Sequence, residues 1–212
     1  MDNNHDKDWI KPYIRGIMHT RGSLFSARVL AVQVFHGMKD KGGEAYFNHL
    51  QRVADGIEDP AIKPIAYLHY LIEDIPGWDY DDLRDIGFSE YVINGIRAVT
   101  KQENALYFDE MVRVGMTAQA IPVKRSDLRD NSNLLRLNRV PTEKDMERAR
   151  KYYLAYHYLG DVESGKIKPG TPFASWMMMQ PEEKRDTALL AKYTAPEPPP
   201  ASPKRRNPAP RP

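Results

Sequence analysis

The sequence predicts an all-α fold, and three observations lead to that prediction. Apolar residues recur at helical spacing in one segment after another. No segment shows the sustained alternation of apolar and polar residues that is typical of strands. Residue types that begin or end helices, such as serine, aspartate, glycine and proline, stand between these segments. We therefore expect a compact helical bundle in which each amphipathic segment buries one face.

The first half of the chain begins with a polar segment, residues 1–22, in which the aromatic residues Trp9 and Tyr13 are the expected anchors. Ser23 is the expected N-cap of the first helix, and Ser89 caps a later one. The predicted helices in this half span residues 23–36, 46–57, 61–75, 79–87 and 90–99.

In the second half, Thr142 and Asp145 have the spacing of a capping box, and Gly160 is expected just past the end of the helix they begin. Trp176 and the three methionines after it form an apolar patch that we expect to dock on the body. The predicted helices in this half span residues 106–115, 121–137, 142–159 and 175–193. We expect a helical domain over residues 23–160 and an extension over residues 161–193 that packs on it.

The last segment, residues 194–212, cannot build a core, because eight of its nineteen residues are proline. We expect it to be disordered or polyproline-like and solvated, with weak contact to nucleic acid or an acidic partner as the alternative. It carries a net charge of +3 in a chain whose total is +2, so the body is near −1. The body is therefore not expected to bind nucleic acid through a basic surface.

Composition places the 212-residue chain among ordinary globular proteins, since 41% of its residues are hydrophobic and 28% are charged. It contains no apolar run of about 18 residues, so no membrane span is expected. The polar, acidic N-terminus does not read as a secretory signal, and we expect a cytoplasmic protein. Because cysteine is absent, any metal must be held by histidine and carboxylate.

The segment from residue 65 to residue 75 is apolar except for His69, Glu73 and Asp74. Burying such groups without partners costs on the order of several kcal/mol, so a core helix has little reason to carry them. His69 and Glu73 lie four residues apart and share a helix face. These residues predict either a polar helix end or a functional site.

Two other apolar segments carry similar polar residues, His49 in one and Asp127 with Asn131 in the other. If these helices pack together, two imidazoles and a carboxylate converge in the bundle core, where such sites are built. That donor set suits a divalent ion of the manganese, iron or zinc kind. We therefore predict that His49, His69 and Asp127 bind a metal ion.

Four motifs in this order resemble the HD superfamily of metal-dependent phosphohydrolases. They are G-x-x-Y-x-x-H at residues 43–49, L-H-Y-L-I-E-D at 68–74, G-I-x-A-V-T-K at 95–101 and V-K-x-x-D-L-x-x-N at 123–131. Within the superfamily, the chain is most similar to the alarmone (guanosine tetraphosphate) hydrolases, including the small stand-alone ones. The resemblance covers roughly residues 20–160 and implies a compact HD-type helical bundle.

The resemblance also implies a ligand set and a chemistry. In that family the corresponding histidines and aspartate hold one manganese ion (Mn2+), which maps onto His49, His69 and Asp127. Glu73 and Asp74 would be the catalytic pair that activates or orders the attacking water. The implied reaction removes pyrophosphate or phosphate from a guanine nucleotide such as guanosine tetraphosphate.

The substrate contacts are likewise carried over by resemblance. Asn131 would contact the nucleotide, and Lys124 in the same motif is a second expected contact. Lys39 and Lys41 in the basic turn would meet the phosphates, although the family has an arginine there. Tyr46 would line the nucleotide pocket. A small-molecule nucleotide is the expected partner.

One departure from the family is serious, because the doublet that names the superfamily reads His69-Tyr70 and lacks its aspartate. Tyrosine ionises near pH 10, so a phenol is a poor anionic ligand unless the metal lowers its pKa strongly. Three alternatives stay open. The chain is an active hydrolase, or a binding or sensor protein in which Tyr70 fills the metal position, or a scaffold whose tail recruits a partner.

Overall fold

Helices make up most of the chain that the computed structural model describes, which comprises residues 7–40 and 42–194. The α-helices, numbered α1 to α11 in chain order, are Lys7–Val34, Tyr46–Asp55, Lys63–Leu68, Leu71–Asp74, Tyr80–Ile86, Glu90–Val99, Tyr107–Val114, Ala120–Asn131, Glu143–Glu163, Phe173–Met179 and Thr187–Thr194. Short 3-10 turns cover Leu134–Arg136 and Glu182–Lys184, and an isolated antiparallel bridge joins Lys39 to Ala45. The predicted all-α fold is confirmed. The predicted tail lies outside the described residues except for its first residue.

No helix in the described ranges is both long enough and apolar enough to cross a membrane.

The first helix begins much earlier than predicted, because α1 starts at Lys7 and runs through Ser23. Ser23 is therefore inside the helix and is not an N-cap. Gly22 has a φ of 76° and kinks α1 next to the residue where the sequence predicted a start.

The anchors expected at the N-terminus were also wrong. Trp9 and Tyr13 are about half exposed and contact each other, with ring centroids 6.0 Å apart. The residues that anchor this part of α1 are Ile10 and Ile14, which are buried. Each isoleucine follows one of these aromatic residues by one position. Consecutive side chains on a helix point roughly 100° apart, so the isoleucines and the aromatic residues cannot both face the core.

The most apolar predicted helix, residues 61–75, is divided in two. α3 ends at Leu68 and α4 begins at Leu71, so His69 and Tyr70 lie between them. Tyr70 has a φ of −104° and a ψ of 1°, outside helical geometry. The helix is therefore interrupted at two residues that the sequence singled out.

Three further helix ends differ from the prediction. α8 ends at Asn131 instead of continuing to residue 137, and α9 continues past Gly160. A Cβ atom at Gly160 would lie 3.2 Å from the Arg125 guanidinium, so this glycine makes room for an arginine and does not end a helix. The predicted helix 175–193 is divided into α10 and α11 by a 3-10 turn.

α3 is the centre of the bundle, since it packs against α1, α2, α6 and α8, while α8 packs on α9. The core contains fully buried aliphatic side chains from several of these helices, including Leu30, Val34, Leu50, Val53, Ile65, Leu68 and Ile96. Because α3 ends inside this core, a polar residue at its C-terminal end must find partners within the protein.

The extension after α9 contacts the body through α10. Phe173 stacks on Phe108 of α7, with ring centroids 3.9 Å apart, and Trp176 and Met177 are buried. The two methionines that follow are more than half exposed. The apolar patch at residues 176–179 is thus divided between a buried and an exposed part.

α1 and α5 are joined by ion pairs that centre on Asp82. The ammonium groups of Lys7 and Lys11 both donate to its carboxylate, and Lys11 also bonds Asp85 at 2.7 Å. The Asp79 N–H donates to Asp82 as part of a capping box. Burial alone would raise the pKa of Asp82, but these hydrogen bonds lower it below its ordinary value of 3.8.

We predict that the Asp82→Asn variant is less stable than the wild type at neutral pH by about 1.5–3 kcal/mol, the range for hydrogen bonds to a charged group. A carboxyl whose pKa is lowered in the folded state stabilises the protein above its unfolded pKa. That contribution is lost as the pH falls below 3.8. Urea unfolding between pH 7 and pH 2 should show the difference between variant and wild type shrinking in this window. A constant difference would contradict the assignment.

Candidate metal centre

His49 of α2, Asp127 of α8 and His69 after α3 meet inside the bundle. One possible ligand atom from each lies within 4.8 Å of the other two, and all three residues are buried. The Asp127 Oδ1 atom is 3.3 Å from His49 Nε2 and 3.7 Å from His69 Nε2. The three ligands predicted from the sequence are therefore brought together by three different parts of the chain.

Both imidazoles are oriented by a partner on their other nitrogen. His49 Nδ1 is 2.6 Å from Asp130 Oδ2, and His69 Nδ1 is 2.6 Å from the Ala66 carbonyl oxygen. A carbonyl oxygen only accepts, so His69 Nδ1 carries a proton and Nε2 is the ring nitrogen that faces Asp127. Both Nε2 atoms are buried without a hydrogen-bond partner in the described residues. This is how metal-binding histidines are held, with Nδ1–H donated to an outer group and Nε2 free for the ion.

Asp127 is ionised and heavily engaged. Burial alone would raise its pKa, but the Lys124 ammonium and the two imidazoles hold that pKa well below its usual range. Lys124 Nζ donates to Oδ2 at 2.9 Å, and Asn131 Nδ2 donates to Oδ1 at 2.6 Å. Lys124 and Asn131, both predicted as substrate contacts, thus lie beside the cluster and bind its carboxylate.

An outer layer fixes the His49 side of the cluster. The Asp130 carboxylate accepts from Arg52 Nε at 2.7 Å and from Arg136, as well as from His49. Arg136 also pairs with Asp40 in the turn before α2. Burial lowers the pKa of His49, but the carboxylates of Asp127 and Asp130 raise it above its ordinary value.

Replacing Asp130 with asparagine should weaken metal binding by about 10–100-fold, the usual effect of losing an outer partner of a ligating histidine. The amide keeps the shape and a hydrogen-bond acceptor but removes the charge that makes the imidazole a stronger donor. Isothermal titration with Mn2+ measures the change. Asp55→Asn in the same region is a control, since Asp55 bonds Gln51 at the surface. Equal Mn2+ affinity in Asp130→Asn and wild type would remove Asp130 from the site.

Glu73 and Asp74 lie in α4, just after the second imidazole, and both are exposed. Glu73 Oε1 accepts from the Lys101 N–H at 2.6 Å, and Asp74 Oδ2 accepts from the Tyr46 hydroxyl at 2.6 Å. Each carboxylate therefore has one oxygen anchored by the protein. Tyr46, predicted to line the nucleotide pocket, also packs edge-on against His49 and so spans the cluster and Asp74.

The phosphate-binding roles expected for Lys39 and Lys41 stay predictions. Lys39 is exposed on the turn, where its backbone bridges to Ala45. Lys41 lies outside the described residues.

A small cleft of about 30 Å3 lies next to Asn131, between the end of α8 and α9. Its lining comprises Gly42, Asn131, Asn133, Leu134, Arg136, Leu137, Asp145, Arg148 and Tyr152. Of these, only Asn131 was singled out from the sequence as a site residue.

Asp130 could have been found from the sequence as a partner of the cluster, because it lies three residues from Asp127 on the same helix. Arg136 lies beyond the helix end, where periodicity carries no information, and Arg148 had no signal beyond its charge.

No protein-family model matches the chain, and no curated protein matches it. The resemblance to the HD superfamily therefore rests on the four motifs and stays a prediction. The coarser finding is a buried group of two histidines and an aspartate that could hold a metal ion.

Proposed function

We propose that this protein is a metal-dependent phosphohydrolase that acts on a nucleotide, with a guanine nucleotide such as guanosine tetraphosphate as the expected substrate. The observation that carries the proposal is the pair of buried Nε2 atoms that face one ionised carboxylate. When both imidazoles are neutral with the proton on Nδ1, these nitrogens are acceptors that face Asp127, and a bound cation would satisfy all three groups. The donor chemistry of His49, His69 and Asp127 therefore fits a divalent metal ion such as Mn2+.

When bound, such an ion lowers the pKa of a coordinated water and polarises a phosphoryl oxygen. The chain's own residues supply the remaining functions. Glu73 and Asp74, which are exposed and each anchored through one oxygen, would accept the proton of the attacking water and orient it. Lys124 supplies a positive charge at the carboxylate end of the cluster, where phosphate charge would be neutralised.

The cleft beside Asn131 carries side chains that suit a phosphorylated substrate. Arg148, which pairs with Asp145 at 3.5 Å, is a guanidinium that would meet an anion there. Tyr152 offers an aromatic surface in the same cleft. These residues match a ligand with both phosphate charge and a flat ring. We further propose that the protein acts in the cytoplasm on this small-molecule partner.

A second candidate function is a nucleotide-binding or sensor protein without hydrolysis. It is favoured by the way Asp127 is satisfied within the protein, by Lys124 on one oxygen and by Asn131 and the Tyr70 hydroxyl on the other. In that case the lysine ammonium replaces the charge of a metal ion, and the residue that departs from the family pattern closes the site.

The test is hydrolysis of guanosine tetraphosphate by the wild type with Mn2+, in parallel with a chelated sample and a Tyr70→Asp variant. The proposed function predicts product from the wild type and none after chelation. A silent wild type beside an active Tyr70→Asp variant would favour the sensor. If neither protein hydrolyses this substrate or other nucleotides with terminal or 3′ diphosphates, the hydrolase proposal is wrong.

A further inference from the structure

We propose that the Tyr70 hydroxyl oxygen is the fourth protein ligand of the metal centre and gives the site a preference for trivalent iron. The inference rests on the proposed metal centre but concerns a residue that the resemblance would discard. It assigns a ligand set of two imidazoles, one carboxylate and one phenolate.

The geometry places the Tyr70 oxygen beside the carboxylate oxygen that both imidazoles face. It lies 3.4 Å from Asp127 Oδ1, the same oxygen that is 3.3 Å and 3.7 Å from the two imidazole Nε2 atoms. Donor atoms that share one metal at about 2.0–2.2 Å are separated by roughly 3.0–3.5 Å in tetrahedral and octahedral sites. Tyr70 is therefore at the same distance from the shared carboxylate oxygen as the two histidines.

The break between α3 and α4 explains how two neighbouring residues reach one site. On a continuous helix, consecutive side chains point roughly 100° apart. Here Tyr70 leaves helical geometry, and its ring lies against that of His69 with centroids 4.1 Å apart. The other face of the site is closed by Tyr46, whose ring meets the Tyr70 ring edge-on at 5.9 Å. The Tyr70 side chain is thus held toward Asp127 by packing on both sides.

The charge of the ligand set indicates the metal. Asp127 supplies one negative charge, which Lys124 partly offsets, and a phenolate at Tyr70 would supply another. Burial and the Asp127 charge raise the pKa of the Tyr70 phenol, so the phenolate would form only together with the oxygen–metal bond, with its proton released to solvent. Two hard anionic oxygens suit a hard, highly charged ion, and tyrosinate is an established ligand of iron in haem proteins.

The competing explanation is that the Tyr70 O–H donates to Asp127 and blocks the metal position. Both explanations use the same 3.4 Å contact, but they predict opposite effects of removing the oxygen. Tyr70→Phe removes this oxygen and keeps the ring packing against His69. Tyr158→Phe is the matched control, because it removes a tyrosine hydroxyl that donates to the Thr171 carbonyl oxygen and to no residue of the site.

The experiment adds Fe3+, supplied as its nitrilotriacetate complex, to the full chain of the wild type and both variants. Visible absorption reports phenolate-to-iron charge transfer, and equilibrium dialysis reports affinity. We expect the charge-transfer band in the wild type and in Tyr158→Phe but not in Tyr70→Phe. Fe3+ affinity of Tyr70→Phe should fall by at least about 10–100-fold, since a lost ligand costs no less than a lost outer partner.

A band that survives in Tyr70→Phe, or Fe3+ affinity that is unchanged or higher there, overturns the inference. Titration with Mn2+ separates this failure from that of the proposed function. If all three proteins bind Mn2+ and none shows the band, the metal centre stands and the role of Tyr70 is lost. If the wild type binds neither ion, both proposals are wrong.

Discussion

Replacing His69 with alanine is expected to abolish hydrolysis and to lower Mn2+ affinity by at least about 100-fold, since an inner ligand matters more than the outer partners whose loss costs 10–100-fold. His69 is the ligand whose removal is easiest to interpret. Its Nδ1 bonds only a backbone carbonyl of its own helix, and its loss leaves no charge unpaired. Asp127 is less suitable, because without it the Lys124 ammonium would lose its partner in the interior.

Metal affinity by dialysis and nucleotide hydrolysis should be measured on the same preparation. His157→Ala is the matched control, because His157 is exposed on α9 and its ring contacts that of Tyr153. We expect the control to bind Mn2+ and hydrolyse substrate as the wild type does. If His69→Ala retains wild-type metal affinity and activity, the ion, if any, is bound elsewhere.

The second large effect concerns the extension after α9. Trp176→Ala should destabilise the protein by about 3–5 kcal/mol, the range for truncating a fully packed aromatic side chain. Trp176 is buried, lies edge-on to Tyr158 with centroids 5.6 Å apart and packs against Phe173. Its indole N–H donates to Asp161 at 2.8 Å, so the variant also removes one hydrogen bond from that carboxylate, which keeps its ion pair with Lys166.

Met179→Ala is the control for this prediction, since Met179 belongs to the same helix but is 64% exposed. Its free energy of unfolding should change by less than about 0.5 kcal/mol. Chemical denaturation of both variants gives the comparison. Equal stabilities would mean that α10 does not stabilise the folded body, and the extension would then be an independent appendage.

The ligand residues could be predicted from sequence because the energetic argument is local. His49, His69 and Asp127 are ionisable residues within apolar helical segments, and such groups are retained in a core only with partners. Packing of α2, α3 and α8 brings these partners together. Helix starts with a side-chain cap were equally accessible, as the caps at Asp79, Ser89 and Thr142 show.

Features that depend on tertiary contacts could not be predicted in the same way. The break at Tyr70 has no proline or glycine to announce it, and the role of Gly160 depends on Arg125 approaching from another helix. The pairing of Arg136 with Asp40 links residues that are far apart in the chain. Among these features the orientation of Tyr70 matters most for the proposed site, because the sequence alone indicates only that the aspartate ligand of the family is missing at this position.

X-ray absorption spectroscopy of the dialysed, Mn2+-loaded protein tests the central claim most directly. Coordination by two imidazoles adds outer-shell scattering from the ring atoms that oxygen ligands do not produce. We predict about one ion per chain, with these imidazole features present in the wild type and reduced in His69→Ala. An ion surrounded only by oxygen, or no ion retained after dialysis, would contradict the account.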